Sequence, residues 1–358
     1  PYYTEREKER IWESLEKNGI DVAFIKIPID YTRSVSDLYA FRFIAIKRVL
    51  LKIRELARRV NIVHEEASPV PLFSHLVLKT GCSTILTIHE VRGAFSIKAL
   101  GSVGILEMLS EKVLRNLKSS YDIIITVSKS TGELITKNLG IKPLIIVNGV
   151  DVRKFKPSTK KNKNDNVIKI VTVGRLIAHK GYFLLPHIRL ILRKILRRNK
   201  KLKIEFNIVG HGPLKEQIER FCRKSMESRL RFNLLVKLPE KDYISVLQGA
   251  DIYLHLNPYM EGFGLSVAEA MSCGLPVIAF NIPGVRDLID NAVNGYLIDR
   301  MNFAELYRRL LQMINDSDLR IKMGFNARMK IEKEFTWEKS AKKMANLYQW
   351  IIDSLSIK

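Results

Sequence analysis

The sequence predicts an α/β protein in two domains, and three observations predict it. At 358 residues the chain is long enough for two domains of ordinary size, each with its own core. Short β-branched runs alternate with longer amphipathic ones through both halves. Between the halves, residues 158–166 (STKKNKNDN) are polar, charged and free of apolar side chains, which marks a linker.

The chain opens at Pro1 with PYYTEREKERIWESLEKNG, an amphipathic helical pattern with Ile11 and Leu15 on one face. A domain of alternating strands and helices should begin with a strand, so the first strand is expected to be missing from this chain. Ile20 to Pro28 reads as the next strand. Phe41 to Arg59 reads as a helix, with Phe43, Ile46, Val49, Leu50, Ile53, Leu56 and Ala57 on one side. Lys47, Arg48, Lys52, Arg54, Arg58 and Arg59 spread over the other side. That pattern fits either a core-packed helix with a solvated face or contact with an anionic membrane. NIVHEEAS and TILTIHEV follow as short strands, the second ending at His89 and Glu90. Tyr121 to Ile135 reads as a buried strand and a helix capped by Ser128 or Ser130.

In the second half, VIKIVTVGRLIAHKG places a strand end at Gly174, with Arg175 and Lys180 in the following loop. RLILRKILRRNKKLK reads as a basic surface helix. IEFNIVGHGPLKEQIERF repeats a strand, glycine turn and helix at Gly210 and Gly212. Asp251 to Pro258 is strand-like and runs into Gly262-Phe263-Gly264, after which Leu265 to Ser272 reads as a short helix ending at Gly274. Glu261 would stand on the lip of that turn and Glu269 inside the helix, both aimed into one cleft. From Phe303 to Lys358 the tail reads as helical.

The formal charge is +23, and the first 155 residues carry 24 Lys and Arg against 17 Asp and Glu. Most of the excess therefore lies in the second half. Such a balance suits nucleic acid, an anionic membrane surface or phosphorylated substrates. The basic residues lack the interleaved aromatics of a single-strand platform, and the glutamates amid the glycine turns would repel phosphates, so nucleic acid is not expected. The most apolar stretch, AFSIKALGSVGILEML, is broken by Lys98 and Glu107, which argues against a membrane span. Cys82, Cys222 and Cys273 have no paired spacing, so no disulfide framework or zinc site is indicated and a cytoplasmic location is expected.

A glycine turn between a strand and a helix start exposes backbone N–H groups at a positive dipole end, a place for phosphate. With Glu, seven residues and Glu, GFG after the first and EAMSCGLPVIA from the second, Glu261 to Phe280 resembles the signature of retaining family-four glycosyltransferases of GT-B architecture. The resemblance implies two facing Rossmann-like domains with a cleft between them. It assigns residues 1–157 to the acceptor-side domain, 158–166 to the linker and 167–335 to the nucleotide-sugar domain, with a last helix at 336–358 returning to the first. Asn148-Gly149-Val150-Asp151 with Phe155 and Pro157 resembles the family's end-of-first-domain motif.

Carried residue by residue, the resemblance gives Glu261 the donor sugar hydroxyls and Glu269 the nucleotide ribose. Arg175 and Lys180, in a close match to the family's G-R-x(4)-K-G, would hold the donor diphosphate. His89 would lie near the anomeric carbon, with Glu90 where Asp is usual. Gly210, Gly212, Leu238, Gly262, Phe263, Gly264, Leu265 and Ser266 become donor-binding positions. The implied reaction moves a sugar from a nucleotide-diphosphate sugar to a sugar or lipid-linked acceptor, giving an α-glycosidic bond, with no cofactor. Arg175, Lys180 and the N–H groups near Gly264 to Ser266 offer a metal-free counter-charge, so no catalytic metal is expected. Two other readings are an isomerase or hydrolase of the same architecture and a basic nucleic-acid-binding protein. An anionic membrane surface, on the inner face of the cell membrane, is a further possible partner.

Overall fold

The computed structural model describes residues 54–67, 81–91, 121–158 and 166–356. The chain divides into two compact units, Pro1–Arg59 and Val60–Lys358. In the first unit residues 54–57 are helical. The amphipathic pattern after Pro1, the strand Ile20 to Pro28, residues 41–53 of the basic helix and residues 159–165 of the linker lie outside the described residues, as does the apolar stretch broken by Lys98 and Glu107.

The second unit carries two parallel sheets. The first has four strands, β1 (Ile62–Ala67), β2 (Ser83–Ile88), β3 (Ile123–Thr126) and β4 (Leu144–Ile145), in that spatial order. Thr84 to Ile88 is buried throughout, as a strand covered on both faces must be. Helix α1 (Lys129–Leu139) follows β3 and starts where the Ser128 hydroxyl accepts the N–H of Thr131. It stops at Gly140, whose φ of 67° lets its N–H reach the Thr136 carbonyl. Ile135 and Leu139 of α1 pack with Leu86, Ile88 and Tyr121. A separate cluster joins Ile85, Ile125 and Ile146 to Ile351, Met344 and Leu347 of the last helix, Trp337–Ser356.

The second sheet has six strands: β5 (Val167–Val173), β6 (Lys203–Val209), β7 (Leu230–Leu235), β8 (Ile252–His255), β9 (Val277–Phe280) and β10 (Gly295–Ile298). Their order is β10-β9-β8-β5-β6-β7, so the chain runs outward from β5, returns to its other side at β8, and runs outward again. The loops leaving β5 and β8 therefore diverge, and the crevice between them is where ligands sit in sheets of this kind.

Helices α2 (Leu185–Arg198), α3 (Lys215–Lys224), α4 (Glu240–Gln248), α5 (Leu265–Ser272), α6 (Val285–Leu288), α7 (Phe303–Asn315), α8 (Ser317–Glu334) and α9 (Trp337–Ser356) complete the fold. In α2, Ile188, Ile191, Leu192, Ile195 and Leu196 recur at helical spacing and are buried, so the basic helix packs on the core. It ends earlier than the sequence suggests. The Asn199 side chain accepts the N–H groups of Lys201 and Leu202 and turns the chain, so the run Arg193 to Lys203 spans a helix end, a loop and the start of β6.

The chain passes between the sheets twice, and the two passages touch. Val150 and Thr336 form a parallel bridge, and the Val150 N–H reaches the Phe335 carbonyl at 2.9 Å. Beside them the Arg328 guanidinium donates to the carbonyls of Phe155 (2.6 Å), Ser272 (2.8 Å) and Val152 (2.9 Å). Among the described residues no helix is long and apolar enough to cross a membrane.

Candidate active site

Four side chains meet where β5 and β8 part. The loop after β5 closes in a short 3-10 turn, Ala178–Lys180, that aims Lys180 across the crevice. The loop after β8 carries Glu261, and the Lys180 ammonium donates to both of its carboxylate oxygens, at 2.6 and 2.7 Å. The Asn257 amide donates to the same carboxylate at 2.9 Å, and His255 Nε2 stands 3.5 Å away. Burial alone would raise the Glu261 pKa. The Lys180 charge, with His255 behind it, outweighs that and holds the carboxyl well below the usual carboxylate range.

Past Glu261 the chain turns through Gly262-Phe263-Gly264 into α5. Gly264 precedes the helix at φ 91°, a conformation that favours glycine, and its carbonyl accepts the N–H groups of Val267 and Ala268. Gly262 is needed for a different reason. A Cβ there would stand 2.1 Å from the His89 carbonyl oxygen, so only glycine lets this turn lie against the end of β2. From the first sheet, the hydroxyls of Ser128 and Thr131 donate to the Gly262 carbonyl at 2.6 and 2.8 Å.

On the first sheet, His89 Nε2 lies 2.5 Å from Glu66 Oε2. Glu66 pairs across the ladder with Thr87, and the alternation of side chains places His89 on the face of Thr87. His64, two residues before Glu66, contacts the Thr87 hydroxyl and the Tyr348 hydroxyl, each at 2.6 Å. Partial burial raises the Glu66 pKa, but its hydrogen bond and proximity to His89 pull it below the ordinary value. Sequence reasoning misses Glu66. An acidic pair at the carboxyl end of a strand is the signal that could have found it.

A cavity of about 390 Å³ lies between the two sheets. His89, Glu90, Val127 and Asn148 line it from the first sheet, and Val173, Gly174, Arg175, Lys180 and residues 261–266 from the second. Gly262, Phe263, Gly264, Leu265 and Ser266 are thus brought together with His89, Arg175, Lys180 and Glu261. Four of the sequence-derived positions do not line it. Leu238 packs on the core of the second sheet, and the Gly210 to Gly212 turn is stitched to the neighbouring loop, where the Leu176 N–H meets the His211 carbonyl.

Glu269 also departs from the expected shared cleft. Its carboxyl is turned to Tyr243 of α4, whose hydroxyl donates to it at 2.5 Å. Burial raises its pKa to about 7 against the pull of that hydrogen bond, with Glu240 adding to the rise. Inside α5 the side chain has two faces open to it, and Tyr243 supplies the hydroxyl that a buried carboxyl requires.

Among the described residues no cluster of three or more His, Cys, Asp or Glu could hold a metal ion, and Cys82, Cys222 and Cys273 form no disulfide. The chain does contain one Asp-x-Asp, Asp316-Ser317-Asp318. It is a helix start: Asp316 caps α8 by accepting the Leu319 N–H at 2.8 Å.

Residues 153–330 match the family model described as "Glycosyl transferases group 1", and residues 7–154 match "Glycosyltransferase Family 4". The chain belongs to the group 1 glycosyltransferases. A group 1 glycosyltransferase is an enzyme that transfers sugars, and its two parallel-sheet domains are of the GT-B type. One relative is an Escherichia coli enzyme named UDP-Gal:alpha-D-GlcNAc-diphosphoundecaprenol alpha-1,3-galactosyltransferase, 28% identical over 308 residues, 81% of this chain and 75% of the relative. Among solved structures, sucrose-phosphate synthase from Thermosynechococcus elongatus superposes with a TM-score of 0.72 at 17% identity, over 92% of this chain and 82% of that one. TarM from S. aureus gives 0.66 at 22% identity over 84% of this chain. This group 1 chain spans little more than half of TarM's length, 57%.

Proposed function

We propose that this glycosyltransferase moves a sugar from a nucleoside-diphosphate sugar to an acceptor hydroxyl with retention of configuration, giving an α-glycosidic bond without a catalytic metal. The observation that carries this reading is the Lys180–Glu261 pair, set with Arg175 beside the start of α5. Breaking the bond from the anomeric carbon to the diphosphate leaves negative charge on the departing group and an oxocarbenium-like sugar. Arg175, Lys180 and the N–H groups at the start of α5 supply counter-charge to the first. Glu261, gripped by Lys180 and Asn257, is poorly placed to attack the anomeric carbon as a nucleophile. It suits the sugar hydroxyls, and the acceptor then attacks from the face the diphosphate leaves, its proton passing to the departing phosphate oxygen. His89, steadied by Glu66, faces the sugar.

For the acceptor we favour a lipid-linked one, because the E. coli relative's name specifies a lipid diphosphate. Peripheral attachment to an anionic membrane through the basic stretch Phe41 to Arg59 belongs to the same reading, and vesicle sedimentation tests it. The enzymatic test is an incubation with a panel of UDP- and GDP-sugars and glycosyl acceptors in the presence of a chelator, followed by NMR of the product. An α-linked product with release of nucleoside diphosphate is expected. A β-linked product, or activity abolished by the chelator, would overturn it. Free sugar formed without any acceptor would move the assignment to a hydrolase.

A further inference from the structure

A second cavity, about 830 Å³, lies where α1, α6, α8 and α9 converge. Six cations line it: Lys129, Arg286, Lys333, Lys339, Lys342 and Lys343. We propose that this cavity binds a phosphate- or diphosphate-bearing ligand, held by Lys129, Lys333, Lys342 and Lys343 at the meeting of these helices.

The acids in its wall do not balance the cations. Asp287 and Glu334 are the two acids that line it, and the Asp287 carboxylate already accepts the Ser130 N–H at 2.8 Å. Arg286 pairs with Glu133, and the Lys339 ammonium is taken by the carbonyls of Glu332 and Lys333 at the end of α8. Lys129, Lys333, Lys342 and Lys343 make no ion pair among the described residues, and like charges gathered in a concavity reinforce one another's field.

Local preference argues the same way. Lys129 occupies the first turn of α1, where no acid is present and where the helix dipole disfavours a cation. In α9, Lys339 and Lys343 stand four residues apart on one face, a spacing at which like charges repel. A sequence that sets cations against both rules in one cavity has an anion as its natural complement. Val147, Asn346 and the Ser128 hydroxyl provide the remaining wall, and its one aromatic, Phe335, is buried. Without an exposed ring there is no platform for a base, so the chemistry recognised is phosphate and not nucleobase. The volume admits a group larger than the phosphate itself.

This site stands apart from the 390 Å³ cavity, with which it shares no lining residue. They are nonetheless next to each other in the chain: Val127 and Asn148 line one, Ser128 and Val147 the other.

Titration calorimetry of the full chain with inorganic pyrophosphate at low salt tests the proposal. The proteins are the parent, Lys129→Gln/Lys342→Gln/Lys343→Gln, and Arg175→Gln/Lys180→Gln. The triple variant should lose one binding event or weaken it by about tenfold, ~1.4 kcal/mol. The Arg175 and Lys180 double variant should keep that event. Pyrophosphate binding to the triple variant indistinguishable from the parent overturns the proposal. Should Lys129→Gln disturb the start of α1, seen as a fall in melting temperature, Lys333→Gln/Lys342→Gln/Lys343→Gln leaves that helix start intact and should show the same loss of pyrophosphate binding. Flotation with phosphatidylcholine vesicles, with and without phosphatidylglycerol, separates the sources. Capture that needs phosphatidylglycerol and is lost in the triple variant identifies a lipid headgroup. Unchanged capture with lost pyrophosphate binding identifies a soluble phosphate.

Discussion

The ammonium of Lys180 sits between the two carboxylate oxygens of Glu261, 2.6 and 2.7 Å from them, with both side chains less than a fifth exposed. A pair so withdrawn from water is costly to break from one side, because the remaining charge is left without its partner. Lys180→Met should therefore lower stability by ~3 kcal/mol, and adding Glu261→Gln should recover part of the loss. Denaturant unfolding of the two single variants and the double variant measures this. Purely additive losses would show that the two groups do not support each other. Turnover should fall by roughly 10² to 10³ when Lys180 or Arg175 becomes Ala, the scale of one lost preorganised donor.

In the proposed reaction Glu66 would act through His89, which it contacts at 2.5 Å. Glu66→Gln should lower kcat by roughly ten- to hundredfold, as the loss of a group that orients a site residue does, while KM for the donor changes little. Glu66→Asp should restore part of the rate. A KM effect without a kcat effect, or no rescue by Asp, would reassign Glu66 to general packing.

The raised pKa of Glu269 makes a stability claim with a definite sign. Between its ordinary 4.5 and about 7 the unfolded chain ionises this carboxyl while the folded chain does not. Folding stability from this group is thus full below pH 4.5 and is lost as pH rises towards 7, by at most ~3 kcal/mol. In Glu269→Gln that decline should vanish, so the variant's melting temperature gains on the parent's from pH 5 to pH 8. Should Glu269 hold the ribose, as the resemblance to the family implies, nucleotide affinity should move the other way, rising with pH through 7 in the parent and staying flat in Glu269→Gln, because an ionised carboxylate is the better acceptor for hydroxyls. A parallel pH response of parent and variant in calorimetry would remove Glu269 from both roles.

Gly262→Ala is a test of close approach. Its Cβ would meet the His89 carbonyl at 2.1 Å, so main chain must move on one side or the other. A loss of ~1–3 kcal/mol is expected, with a fall in turnover. Full activity in a variant of unchanged stability would show that the two loops are not held against each other.

Much of the site is legible in the sequence because the informative residues are close together. Glu261, the glycine turn and the start of α5 lie within five residues, and their order alone announces a strand, a turn and a helix end. Arg175 and Lys180 are legible for the same reason. Glu66 is not: it stands 23 residues before His89, and only the pairing of Glu66 with Thr87 across β1 and β2 puts the two on one face. Periodicity places Glu269 inside α5 but leaves open which neighbour its carboxyl turns to, and Tyr243 comes from another helix. The basic run after Arg193 looks like one helix because cations suit helices and loops alike. The Asn199 side chain, accepting two N–H groups, decides where the helix stops. The basic cavity assembles Lys129 with cations more than 150 residues away, which no local pattern reveals.

The bridge between Val150 and Thr336 has a mechanical consequence. Two stretches of backbone cross from one sheet to the other side by side, tied by the Val150 N–H, while Arg328 fastens the carbonyls of Val152 and Phe155 to Ser272 at the same edge. Such an arrangement behaves as a door on a double hinge-pin. Turning about the line of the crossing would leave these contacts in place, whereas twisting or sliding across it would break the bridge and pull the guanidinium from its carbonyls. Away from the crossing the two parts are joined again, by the Gly262 carbonyl held by Ser128 and Thr131, by the Ser130 N–H on Asp287 and by the Arg286–Glu133 pair.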